Sequence, residues 1–210
     1  MKKLLTIILL LPAICSFAQT DTISLNEGNF HIAYSTGLKY PVKVYWHLTA
    51  NDLNCSAPLK RSNKFTADPQ APGTNYNSDY SRSGYDKGHN FDAADDACNI
   101  ELNAHCWYFT NMTPQVPELN RVVWKNLEDQ CRKWALAGDN LFIECGSIGN
   151  VTVIGQHSIA VPTYCWKVIK HSDGRVECYI MPNIKNVKSL TYDKYPISLE
   201  DLQKETGLTL

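Results

Sequence analysis

A histidine behind a glycine closes the segment Ser83-Gly84-Tyr85-Asp86-Lys87-Gly88-His89. The neutral ring of His89 titrates near physiological pH, so it can take a proton from water. Gly88 permits a close backbone approach or an unusual turn just before it. A second group follows: Thr110-Asn111-Met112-Thr113-Pro114-Gln115, then Leu119-Asn120-Arg121, Trp124 and Leu127-Glu128. The carboxamide of Asn120 is a neutral oxygen donor. Magnesium keeps most of its waters and accepts few protein ligands, so one carboxamide suits it. Glu128 can then hold the metal-bound waters as an acceptor. Each residue also has a plain role: His89 as a structural imidazole, Asn120 as a helix N-cap, Glu128 as an exposed partner of Arg132 or Lys125. Taken together, the two segments fit one hydrated metal ion and one general base.

These side chains need elements to position them. Leu119 to Ala137 is the clearest helix, with Trp124, Leu127, Cys131 and Trp134 at spacings of three and four and Gly138 as a stop. Asn120 heads that stripe and Glu128 lies on a neighbouring, somewhat rotated face. Both point toward the core side, an awkward place for polar groups unless something there uses them. Phe30 to Tyr34, Val42 to Leu48, Cys106 to Thr110, and Leu141 to Cys145 ending at Gly146 are expected strands. Gly84 to Phe91 is expected as a short strand or extended turn, and Asn111 to Glu118 as a loop broken by Pro114 and Pro117. Asn51 to Tyr80 is expected as a long loop. Ser158 to Ile169 and Arg175 to Met181 form a hairpin through Ser172-Asp173-Gly174. With Asp173-Gly174 as its turn, Cys178 falls opposite Ile169, and no Cys165–Cys178 bridge is expected. Ser198 caps a last helix ending at Gly207.

Residues 1–18 read as a signal peptide: Lys2 and Lys3, a short apolar run from Leu4 to Leu11, and small residues around Ser16-Phe17-Ala18. Residues 19–210 suit one domain, and a secreted or periplasmic location is expected. Ile14 is bulky where a lipoprotein would carry a small residue before Cys15. The remaining seven cysteines are an odd number, so at least one stays unpaired within the chain; buried thiols and a bridge or two are expected. The net charge of −1 excludes a strongly basic nucleic-acid binder, so any polyanion site must be local. Lys60-Arg61-Lys64 is the best candidate for one.

The joint pattern resembles the DNA/RNA non-specific endonucleases, which carry a ββα-metal (His-Me finger) site and include endonuclease G. The resemblance runs from about Ile32 to Leu208. Asp79-Tyr80, Ala160-Val161-Pro162 and Met181-Pro182-Asn183 support the two main segments. It implies an α+β fold, a single domain whose central, mostly antiparallel sheet is flanked by helices. It implies a sugar-non-specific, Mg²⁺-dependent hydrolase of DNA and RNA, with Mn²⁺ as an alternative ion and 5′-phosphate products. His89 matches the general base, Asn120 the sole direct protein ligand of the metal, and Glu128 the carboxylate that orders its waters. Asn111 matches an asparagine near the scissile phosphate, Arg61 the arginine that grips it, and Arg132 a second supporting arginine on the substrate side. Lys87 stands where the family usually has arginine; it keeps the charge but loses the bidentate fork. Asp86 is read as shaping the turn. A nucleic-acid-binding module that has lost catalysis, and a phosphodiesterase acting on small diesters, are the competing readings.

Overall fold

In the computed structural model, which describes residues 21–186 and 189–210, alternating apolar side chains build a six-stranded sheet. The expected signal peptide, residues 1–18 with Cys15, lies outside the described residues. In chain order the strands are β1 (Thr22–Asn26), β2 (Phe30–Ser35), β3 (Tyr40–Leu48), β4 (Asp86–His89), β5 (Met112–Gln115), β6 (Leu141–Ile148), β7 (Thr152–Ile154), β8 (Ile159–Val161), β9 (Tyr164–Lys170) and β10 (Val176–Pro182). The helices are α1 (Ala50–Leu53), α2 (Asn77–Tyr80), α3 (Ile100–His105), α4 (Lys125–Leu136) and α5 (Leu199–Thr206). The main sheet runs β1-β2-β3-β6-β9-β10, antiparallel throughout. This is an α+β architecture.

Period-two burial in β3 turns Val44, Trp46 and Leu48 inward, where they share one core with Leu127, Cys131 and Ala135 of α4. On the opposite face Leu202 of α5 packs with Trp166, Val168 and Cys178. The Ser198 hydroxyl accepts from the Asp201 amide, and Gly207, at φ +69°, ends α5 as the sequence pattern predicts.

Several expectations change. Ser158 to Ile169, expected as one strand of a hairpin, is split into β8, which pairs with β7, and β9, which joins the main sheet. The expected long loop Asn51 to Tyr80 carries most of α1 and all of α2. Cys106 to Thr110 is not a strand but a turn running into a short 3₁₀ segment at Phe109–Asn111. Trp107 and Phe109 are buried whatever the backbone does, and a short apolar run does not separate the two cases. Met112–Gln115, expected as loop, is β5 and pairs only with β4. Pro114 is tolerated there because such a two-stranded ribbon has a free edge. Gly146 does not end β6 but lies inside it, where a β-carbon would overlap the Val42 carbonyl of β3. In the β9–β10 hairpin Cys178 faces Val168 and Cys165 faces Met181, one residue from the expected register. The turn closes through the His171 amide to the Arg175 carbonyl, longer than a two-residue turn. Cys165 and Cys178 are accordingly unbridged; Cys55–Cys98 is the disulfide, and the five other cysteines of the described residues are free and buried.

Candidate active site

The site starts from β4 and β5. Asp86, Lys87, Gly88 and His89 pair with Gln115, Pro114, Thr113 and Met112. A β-carbon on Gly88 would overlap the side chain of Gln115, so this ribbon requires glycine there. The ribbon is tied to the helix at both ends of β4. The Trp124 indole donates to the His89 carbonyl (3.2 Å), and the Asn120 amide donates to Asp86 Oδ2 (3.0 Å).

Leu119–Trp124 is a π-helical turn that runs directly into α4. Asn120 and Glu128 are eight residues apart. In an uninterrupted α-helix that separation leaves them roughly 80° apart around the axis. A π turn in the segment that contains Asn120 lessens that rotation.

Asp86 has a larger part than turn-shaping. Arg121 donates to both of its oxygens at 2.7 Å, and the Asn120 amide adds a third bond. Arg121, Asn120 and burial act together on Asp86; burial pushes its carboxyl up, and the hydrogen bonds prevail and hold it low. An ionised carboxylate accepts only, so it fixes the Asn120 amide nitrogen toward itself and leaves the amide oxygen free. Asn120 lines a cavity of about 570 Å³ together with Arg61, Lys87, Phe65, Tyr85 and Arg121. Arg61 rests on the Trp107 ring at 5.0 Å and Lys87 on the Phe65 ring at 4.4 Å, so aromatic faces carry both cations. Burial lowers the pKa of Lys87.

Neither His89 nor Glu128 lines this cavity. His89 is 6% exposed, edge-on to Trp107 at 4.8 Å and beside the cavity residue Phe65 at 5.7 Å. Its Nε2 has no hydrogen-bond partner among the described residues. Burial pushes its pKa down to about 4, with Asp92 opposing and Arg61 adding to the shift. The imidazole is therefore neutral and able to accept a proton across the neutral range.

Glu128 is buried, not the exposed carboxylate of the plain reading. Lys125 pairs instead with Asp129. Burial pushes the pKa of Glu128 well up and Asp92 pushes further, while Lys167 and Arg132 pull it down.

Two expected substrate contacts are engaged elsewhere. The Asn111 carboxamide is fully buried; it accepts from the Phe91 amide and donates to the carbonyls of Phe91 and Cys106, each at 2.9 Å. It braces the segment after β4 and has no free donor for a phosphate. Arg132 pairs with Asp92, Asp95 and Asp129 at 2.5 to 2.9 Å, with its side chain 16% exposed. Three carboxylates hold it away from the cavity, so it supports the site from behind. Replacing Arg132 with methionine would strand Asp92 and Asp95. The expected loss is about 3–5 kcal/mol of stability, read from the urea midpoint, as for any buried ion pair that loses one partner.

Sequence reasoning missed three contributors: Asp86 as the residue that orients Asn120, Trp124 as the tie to β4, and Lys167. The first two left a signal, Asp86 in the His89 segment and Trp124 in the Asn120 segment; Lys167 left none.

A divalent ion fits what is present. One carboxamide oxygen is free beside two cations that suit an anionic substrate. Among the described residues no group of three or more His, Cys, Asp or Glu is arranged to hold a metal, so an ion here would rest on Asn120 and waters.

The chain matches the family described as DNA/RNA non-specific endonuclease over residues 15–210. It is 30% identical to a nuclease of Nostoc sp. over 204 residues, covering 89% of this chain and 72% of that protein. It is 32% identical to nuclease C1 of Cunninghamella echinulata var. echinulata, covering 88% and 81%. Human endonuclease G, a mitochondrial protein, is 30% identical over 148 residues, 63% of this chain and only 50% of its own length. The crystal structure of the EndoG/EndoGI complex superposes with a TM-score of 0.79 at 26% identity, covering 89% of this chain and 84% of the other. The family match across most of the chain, together with a fold shared with EndoG, places this protein in the DNA/RNA non-specific endonuclease family.

Proposed function

We propose that the protein is an exported, sugar-non-specific endonuclease that hydrolyses phosphodiester bonds in DNA and RNA with one Mg²⁺, or Mn²⁺ in its place. One observation carries the reading: Asp86 holds the Asn120 amide nitrogen and leaves its oxygen free, and Asn120 lines a cavity with Arg61 and Lys87. Lys87 stands two residues before His89 on β4, and His89 Nε2 has no partner among the described residues. The β4–β5 ribbon followed by α4 is read as the ββα-metal motif. In this reading His89 Nε2 accepts the proton of the attacking water. Arg61 and Lys87 hold the phosphate and offset the charge that develops on it. Asn120 Oδ1 would hold the ion, and Glu128 would accept hydrogen bonds from its waters. Such an ion would supply charge neutralisation. Water as the nucleophile makes a ribose 2′-hydroxyl unnecessary. With the 3′ oxygen as the leaving group, which takes up a proton as the P–O bond breaks, the products carry 5′-phosphate and 3′-hydroxyl ends. Cations that meet phosphates without reading base edges predict little sequence preference.

Digestion of plasmid DNA and of RNA tests this. Both substrates are expected to be cut with Mg²⁺ and spared with EDTA, with end-labelling showing 5′-phosphates. Salt-sensitive binding without cleavage would instead favour the catalysis-free module.

A further inference from the structure

Lys167 is one of the largest fully buried side chains, 1% exposed, on the inner face of β9 opposite Cys145 of β6 and Tyr179 of β10. A buried ammonium is costly unless something compensates it. Among the described residues it forms no direct ion pair; its ammonium lies over the rings of Trp124 at 4.2 Å and Trp46 at 5.6 Å. Trp124 stands one helical turn before Glu128, so ring and carboxylate share one side of the helix. Above this point Arg132 is already shared among Asp92, Asp95 and Asp129. Glu128 thus lies among carboxylates with one cation committed elsewhere and one not.

We propose that Lys167 is a positioning residue for Glu128: its buried ammonium, seated on Trp124, draws that carboxylate toward its charged form, as an acceptor for the waters of the bound cation. This deepens the nuclease reading and rests on it. The charged and titratable groups facing the pair are Asp92 and Asp95 after β4, Cys131 and Arg132 on α4, and Cys145 on β6. The mutual effect runs the right way. Glu128 leads the groups that hold the Lys167 pKa up against burial, and Lys167 leads those that pull the Glu128 pKa down.

The test compares Lys167→Met, Lys167→Arg, Glu128→Gln and the Lys167→Met/Glu128→Gln double variant. Infrared titration of the metal-free protein follows the carboxylic-acid band that disappears in Glu128→Gln. In Lys167→Met the midpoint of that band should rise by about one pH unit or more, a tenfold change in proton affinity. In Lys167→Arg it should stay within about half a unit of the parent. Mg²⁺-dependent cleavage by Lys167→Met should fall about tenfold at neutral pH and recover as pH rises. On the Glu128→Gln background the same change should alter the rate less than about twofold, because coupled residues are not additive. A band that does not move, or an equal loss on both backgrounds, overturns the proposal. If Lys167→Met alone fails to fold while the double variant folds, the coupling holds; if both fail, the lysine is only structural and the proposal falls. Should Glu128→Gln cut nucleic acid like the parent, the nuclease assignment of Glu128 fails, while the infrared midpoint still reports on the pair.

Discussion

His89→Ala is expected to reduce Mg²⁺-dependent cleavage of plasmid DNA by about 10²–10⁴-fold, the range a positioned general base supplies. The fold should survive, because Trp124 binds the backbone carbonyl of residue 89 and not its ring. Circular dichroism and a melting curve separate the two outcomes. The pH dependence follows from the same burial. With its pKa held near 4, the imidazole stays neutral well below the ordinary histidine range. The rate should therefore hold from neutrality toward pH 5 and fall only as pH approaches about 4. Stability has the same sign. The unfolded chain takes up this proton at the ordinary histidine pKa of about 6.5 and the folded chain near 4, so stability is full above the first value and is lost as pH falls toward the second. A variant that cuts at the parental rate would remove His89 from the base role.

Asn120→Ala deletes the one carboxamide oxygen offered to a metal. Cleavage at low Mg²⁺ should drop roughly a hundredfold or more, and calorimetric Mg²⁺ binding should weaken in step. Asp86 keeps its two bonds from Arg121, so the folded state should lose only about 1 kcal/mol for the missing hydrogen bond. A small melting shift with a large change in metal response is the expected pair of results. An unchanged response of Asn120→Ala to Mg²⁺ would move the ion elsewhere and leave Asn120 as a brace between β4 and the helix.

Much of this was legible in residue order. The strands of the main sheet other than β1, the helix from Leu119, and its end at Gly138 follow from local periodicity and caps, which need no knowledge of distant chain. The segment Ser83 to His89 and the residues Asn120 and Glu128 were nameable because residue type alone limits what a side chain can donate, accept or ligate.

What local order could not decide was where each polar group spends its hydrogen bonds. Asn111 and Arg132 have the right chemistry for a phosphate, yet Phe91, Cys106 and three aspartates use that chemistry up. Asp86 looks like a turn residue until Arg121 and Asn120 converge on it. The π turn that contains Asn120 depends on how the helix start packs against β4, which propensity does not report. Lys167 shows no local signal at all, since its meaning comes from Trp124 and Glu128 on another element. Donor and acceptor capacity belongs to the residue, but which partner fills it is decided by long-range packing, and so is the line between a brace and a functional group.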